Sequence, residues 1–122
     1  MAAGIATLTA LTPHLHDRIA ERTSVLVRGL REAAARHGVM LTADHAGSMW
    51  GFFFRAEPVR SFADAKESDA ERFRRFFHAL LELGVYLAPS PFEAAFLSAA
   101  HSHADIAATL EAFDEAMSRV TR

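Results

Sequence analysis

The 122-residue sequence predicts one α+β domain, with a small, mainly antiparallel sheet of three to four strands and helices packed on one face. Two observations lead to this prediction. Apolar residues recur at helical spacing in the longest segments, and short β-compatible runs lie between those segments. A chain of this length suits one domain, and strands placed between amphipathic helices are typical of a sheet covered by a layer of helices.

Two helices come first in the predicted order. Apolar residues recur every third position within 5–11, although no capping residue precedes them. The missing cap fits either the interior of a longer helix or a frayed natural terminus. Thr12 and Pro13 then predict the N-cap and the first residue of a long helix, which Gly38 closes.

A β-hairpin is predicted next. Residues 39–45 and 48–54 are β-compatible, and Ala46-Gly47 between them predicts the turn. The second strand is a nearly continuous apolar run. Such a run predicts a strand covered on both faces, or on one face with a partner on the other.

The middle of the chain predicts a loop and a third helix. Residues 55–67 are polar and weakly periodic, which indicates the loop. Ser68 and Glu71 stand at the spacing of a capping box, and an apolar stripe follows them up to Gly84.

The last third predicts two short strands and a final helix. Residues 85–87 form the first strand, and part of 92–100 forms the second. Ser102 is the predicted N-cap of the final helix.

Composition excludes several classes of function. The net charge of −2 gives no electrostatic case for nucleic acid or an anionic membrane, so neither partner is expected. The absence of cysteine excludes a disulfide framework, thiolate catalysis and cysteine-based metal sites. No apolar run approaches the length of a membrane span and no secretory signal is recognisable, so a cytoplasmic protein is expected.

Few residues point to chemistry by themselves. Glu93 stands alone in an apolar stretch after a turn made rigid by proline. From the residues alone, a solvent-facing Glu is favoured over a carboxylate that faces a polar site and binds a cation or moves a proton. The seven histidines show no ligand spacing, so no metal is predicted. Ser90 or Ser98 with His101 lacks the sequence context of an activated serine.

Several segments together resemble one enzyme family. Residues 84–96, Gly-Val-Tyr-Leu-Ala-Pro-Ser-Pro-Phe-Glu-Ala-Ala-Phe, are similar to the C-terminal signature of the glutamate-1-semialdehyde 2,1-aminomutases. Residues 97–102, 47–54 and 64–69 resemble that family too, and residues 1–8 resemble the helix between its two domains. The resemblance covers essentially the whole chain.

The resemblance implies part of a pyridoxal-phosphate enzyme of the class III aminotransferase group, fold type I. Residues 1–122 would be its C-terminal small domain, and residues 1–12 the end of an interdomain helix. The cofactor lysine, the acidic partner of the pyridine nitrogen and the phosphate loop would lie upstream in a large domain. Lys66, the sole lysine, matches a surface position of the family. This chain alone is therefore expected to be inactive and to bind no pyridoxal phosphate, and the full enzyme is expected to be a homodimer.

The resemblance also changes the interpretation of Glu93. This residue matches the family's acidic residue that faces the active site, with Ser90 and Phe92 flanking it as expected substrate-pocket residues. The implied reaction moves an amino group between neighbouring carbons of glutamate-1-semialdehyde and yields 5-aminolevulinate for tetrapyrrole (porphyrin) biosynthesis. Ala95 stands where the family commonly has glycine. Two alternatives remain: a related aminotransferase with another amine substrate, and a free-standing binding or dimerisation module.

Overall fold

The structure is a computed structural model that describes residues 1–121, and it confirms the α+β prediction. Three antiparallel strands form one sheet in the order β1-β2-β3. The elements are α1 Ala2–Ala10, α2 Pro13–Arg36, β1 Thr42–Ala46, β2 Met49–Phe53, α3 Phe62–Lys66, α4 Ala70–Glu82, β3 Ala95–Phe96 and α5 His103–Arg119.

The predicted hairpin is present, but its turn is Gly47-Ser48 rather than the predicted Ala46-Gly47, because Ala46 pairs with Met49 as part of β1. β1 and β2 pair from Thr42 opposite Phe53 to Ala46 opposite Met49, and the turn between them uses Gly47 at φ +59°. A left-handed φ of this kind strains any residue that carries a Cβ, so glycine is the favoured residue there.

The two faces of the sheet differ in their surroundings. Trp50 and Phe52 are 4% and 7% exposed and lie on the face covered by the helices. Met49 and Phe53 alternate with them and lie on the opposite face, which α2, α4 and α5 leave uncovered. The nearly continuous apolar run of β2 therefore has helices of this chain on one side only.

The core is an aromatic cluster between the sheet and the helices. Phe76 on α4 lies 5.6 Å from Phe52, 5.4 Å from Phe54 and 6.0 Å from Phe113 on α5, measured between ring centroids. Phe76 and Phe113 are fully buried. α2 packs on both the hairpin and α5, so the same core joins the sheet to the helices.

The predicted ends of the long helices are confirmed. Thr12 Oγ1 accepts a hydrogen bond from Leu15 N at 3.3 Å, and Pro13 occupies the first helical position of α2. At the start of α5, Ser102 Oγ accepts from Asp105 N at 3.2 Å while Ser102 N donates to Asp105 Oδ2 at 2.7 Å. This reciprocal pair is a complete capping box.

The predicted first strand is too long at its start. Val39 N donates to Ala34 O at 2.9 Å and Gly38 has φ +65°, so both residues terminate α2. The strand begins only at Thr42.

The prediction of a loop over 55–67 was wrong in part, because this stretch contains the short helix α3. The prediction for the next helix was wrong by one residue. Asp69, not Ser68, is the N-cap of α4, and its carboxylate accepts from Arg72 N at 2.8 Å. Ser68 Oγ instead donates to Ala65 O at 2.8 Å, which ties it to the end of α3.

The predicted strand over 85–87 was also wrong. Val85 N donates to Leu80 O at 2.8 Å, so this residue closes α4 rather than pairing with a strand. Within 92–100, the strand is confined to Ala95 and Phe96. α1 is the helix predicted from the apolar spacing, and none of its residues is buried.

Candidate functional site

The uncovered face of the sheet forms the floor of a groove of about 610 Å³, which we call the sheet groove. Met49, Gly51 and Phe53 of β2 line it. One wall contains Pro58 and Val59 from the segment before α3. The other contains residues 91–94.

Glu93 lies on this second wall, in the turn formed by residues 89–93, called here the Glu93 turn. Its side chain is exposed to solvent and lines the groove. Within residues 1–121, no hydrogen bond or ion pair engages its carboxylate. Glu93 is thus exposed to solvent, as the first interpretation expected, and it also lines a concave surface, as the second one requires. Its role in a site stays a prediction.

The structure brings Ser90, Phe92 and Glu93 together in one turn. Phe92 N donates to Ser90 Oγ at 3.2 Å, and Glu93 N lies 3.4 Å from Ser90 O, to which it donates. Ser90 is half-buried and lines a small depression beside the sheet groove, together with Trp50. Phe92 lines the groove itself. The substrate-binding roles of these residues remain predictions.

The opposite rim contains a charged pair that the sequence did not indicate. Arg31 on α2 donates to Ala43 O, and its Nη2 lies 4.0 Å from Asp44 Oδ1. Both charged side chains line the sheet groove. Alternation along β1 could have placed Asp44 on the uncovered face, since Ala43 is buried on the other one. Nothing local in the sequence places Arg31 beside them.

The groove lacks some of the groups that a binding site for pyridoxal phosphate requires. Lys66 is exposed at the end of α3, with its Nζ 5.4 Å from the centre of the Phe62 ring, and it does not line the groove. The groove offers the carboxylates of Glu93 and Asp44 and one guanidinium, which Ala43 O already engages. No lysine is among the residues that line the groove, so this lining lacks the amine that a Schiff base requires.

The serine and histidine considered above do meet. Ser98 Oγ lies 3.1 Å from His101 Nδ1, and Ser98 N donates to the same nitrogen at 3.0 Å. Arg22 Nη1 donates to His101 O at 2.7 Å. His101 Nδ1 is thus an acceptor for backbone, and the arrangement closes the loop that leads into α5.

The described residues contain neither a metal-binding cluster nor a membrane-spanning helix. Among residues 1–121, no group of three or more histidine, aspartate or glutamate side chains is placed to hold a metal ion. The same residues include no helix both long enough and apolar enough to cross a membrane.

The fold has clear counterparts among solved structures. A transaminase with bound PLP superposes with a TM-score of 0.80 at 24% identity, over 97% of this chain and 26% of that one. An omega-transaminase from Sphaerobacter thermophilus gives 0.81 at 23% identity. FumI of Sphingopyxis sp. MTA144, in its PLP internal aldimine form, gives 0.65 at 32% identity over 85% of this chain and 22% of that one. The chain therefore has the fold of one part of the PLP-dependent transaminases.

Sequence relatives narrow this class. The glutamate-1-semialdehyde 2,1-aminomutase of Gemmatimonas aurantiaca is 61% identical over 117 residues, which is 96% of this chain and 27% of that enzyme. The aminomutases of Laribacter hongkongensis and Roseiflexus castenholzii are each 48% identical, over 98% and 96% of the chain. No family model matches. These relatives confirm the resemblance to the glutamate-1-semialdehyde 2,1-aminomutases, of whose length the chain spans 27–28%.

Proposed function

We propose that this chain is the C-terminal small domain of a PLP-dependent glutamate-1-semialdehyde 2,1-aminomutase, with residues 1–12 as the end of an interdomain helix. The observation that carries the proposal is the 61% identity over 96% of the chain to an aminomutase more than three times as long. The complete enzyme would isomerise glutamate-1-semialdehyde to 5-aminolevulinate, in the cytoplasm, as a step in tetrapyrrole synthesis.

Glu93 is the proposed reacting group of this domain. Its carboxylate faces the sheet groove from an exposed turn and has no partner within residues 1–121. A free carboxylate in this position can accept hydrogen bonds from a substrate ammonium group, or take a proton from it and return it. Ser90 fixes the turn through the amide of Phe92, and the ring of Phe92 forms part of the pocket wall.

The cofactor would be held by the part of the enzyme outside this chain. The groove lacks an amine, and Lys66 is directed onto the ring of Phe62. We expect the isolated 122-residue chain, mixed with pyridoxal phosphate, to show no stable internal-aldimine absorbance. A lysine-linked aldimine that turns over substrate would refute this division of roles.

The exposed apolar surface supports contact with a missing large domain. Ile5 and Leu8 on α1 are 62% and 70% exposed, and Met49 on the groove floor is 43% exposed. Large exposed apolar side chains at two places are typical of surfaces that another domain or subunit covers. A homodimer of the complete enzyme is part of the proposal.

The decisive experiment uses the full-length protein. Purified enzyme is given glutamate-1-semialdehyde without any amino acceptor, and 5-aminolevulinate is measured. An aminomutase forms the product under these conditions, because the amino group stays within the substrate. A transaminase requires a second substrate and forms none.

One observation keeps a related aminotransferase as the second candidate. Ala95 replaces the family's usual glycine and lies opposite Trp50 in the sheet, beside the Glu93 turn. No non-glycine residue within 1–121 has a positive φ, so the methyl group fits without backbone strain. Activity only in the presence of an amino acceptor would select this candidate. A free-standing binding or dimerisation module would have no large domain encoded upstream of it, so the coding sequence upstream tests that alternative.

A further inference from the structure

The Glu93 turn has few ties to the rest of the fold. Its backbone hydrogen bonds are local, since the amides of Phe92 and Glu93 both donate to Ser90. The chain rejoins the sheet only at β3, where Ala95 pairs with Trp50. The direction of the Glu93 carboxylate therefore depends on side-chain contacts of the turn.

One such contact joins the turn to α3. The rings of Phe92 and Phe62 are 5.8 Å apart at an interplanar angle of 60°, in an edge-to-face arrangement. Phe62 is 67% exposed and Phe92 is 49% exposed, so the pair lies outside the core. The contact between Phe62 and Phe92 is therefore not part of the core packing that stabilises the fold.

α3, the helix that carries Phe62, is well anchored although it is only five residues long. Ser61 Oγ accepts from Asp64 N at 3.2 Å and caps the helix. The guanidinium of Arg55, two residues after β2, donates to Asp64 O and lies 3.5 Å from Glu67 Oε2. Ala65 is 6% exposed and anchors the inner side of the helix. α3 is thus a fixed support for an exposed ring.

From this arrangement we infer that Phe62 is a positioning residue, which holds Phe92 and thereby directs Glu93 into the sheet groove. The inference rests on the function proposed for Glu93. Phe62 itself does not line the groove, whereas Phe92 and Glu93 do. Its effect on substrate must therefore pass through the turn.

Backbone dynamics of the 122-residue chain test the contact without reference to activity. Amide ¹⁵N order parameters of Phe92 and Glu93 are measured in the wild type, Phe62→Ala and Phe62→Tyr. If the Phe62 contact holds the turn, the wild type should give values of about 0.85, and Phe62→Ala should lower them below about 0.6. Phe62→Tyr keeps the ring and should restore the wild-type values.

Phe96→Ala is the matched control. Phe96 is 63% exposed, similar to Phe62, and within residues 1–121 it makes no ring contact. It should leave the order parameters of the turn unchanged. Phe92→Ala should mobilise Glu93 as Phe62→Ala does, and combining the two should add nothing. Unchanged order parameters in Phe62→Ala, with the fold verified by circular dichroism, would overturn the inference.

Kinetics of the full-length enzyme test the consequence for Glu93. Phe62→Ala should lower kcat about two- to tenfold, the range expected from losing one edge-to-face contact, with little change in KM or thermal midpoint. In a Glu93→Gln background the same substitution should have no further effect. Independent, multiplicative losses would refute action through Glu93. Full activity of Glu93→Gln alone would instead refute the proposed role of Glu93, while the order parameters would still decide the contact.

Discussion

Gly51 lies at the centre of the groove floor, and a methyl group there should stabilise the chain. A Cβ built on Gly51 meets no heavy atom within 4 Å, and its φ lies outside the left-handed region. Neither packing nor backbone conformation within residues 1–121 therefore requires glycine. Glycine inside a strand costs about 0.5–1 kcal/mol relative to alanine, largely through the entropy of the unfolded chain. Gly51→Ala should increase the free energy of unfolding by about that amount.

Urea unfolding followed by circular dichroism measures this change. For a chain of this size, about 0.5–1 kcal/mol corresponds to a rise in thermal midpoint of roughly 2–4 °C. The dependence on urea, the m value, should not change, because the surface exposed on unfolding is nearly the same.

Gly47→Ala is the matched control, with the same atoms added on the same hairpin. Its Cβ also meets nothing within 4 Å, but Gly47 has φ +59°. The left-handed conformation costs a residue with a Cβ about 1–2 kcal/mol, so this variant should be destabilised. Equal effects of the two substitutions, or a loss of stability in Gly51→Ala, would refute the reasoning.

In the full-length enzyme, Gly51→Ala should lower activity although it raises stability, because the methyl group enters the sheet groove.

Three other predictions concern the fold. Phe76→Ala should lower the free energy of unfolding in urea by roughly 3–5 kcal/mol, because Phe76 is fully buried among aromatic rings; a loss below about 1 kcal/mol would contradict this. Ser102→Ala should cost about 1 kcal/mol by the same measurement, since its hydroxyl caps α5 through Asp105 N, and no loss would show the cap to be dispensable. The hydrogen bond from Arg36 lowers the pKa of Asp114 below its ordinary 3.8, so its stabilising effect is complete above that pH and is lost as the pH falls through the lower, folded-state pKa. Unfolding between pH 6 and 2 should show a smaller acid-induced loss in Arg36→Gln, and identical profiles would exclude this contribution.

Local rules predicted the features that local interactions determine. The caps at Thr12 and Ser102 and the glycine after α2 follow from hydrogen bonds within a few residues of each helix end. The hairpin follows from one glycine between two β-compatible runs. In each of these cases the same residues form the element and stabilise it.

The sequence prediction failed in two ways. The start of β1, the N-cap of α4 and residues 85–87 were misassigned although local hydrogen bonds decide them. The other failures lie where residues further along the chain decide. α3 has weak periodicity, and Arg55 supports it from outside through Asp64 O. Residues 85–87 are β-compatible, but no strand of residues 1–121 pairs with them. The apolar neighbours of Glu93 drew attention to it, but only the family resemblance favoured a site role over a solvent-facing one. The charged pair of Arg31 and Asp44 arises from contact between α2 and β1. Side-chain directions set by tertiary packing are not encoded in short-range spacing.

The same charged pair has a consequence for solubility. β1 is an outer strand of the sheet, and an unpaired strand edge can recruit a strand from another molecule. The guanidinium of Arg31 engages the carbonyl of Ala43 on this strand, and the exposed carboxylate of Asp44 adds charge beside it. Together they leave a poor template for intermolecular β-pairing. The rim of the groove therefore also discourages aggregation through β1.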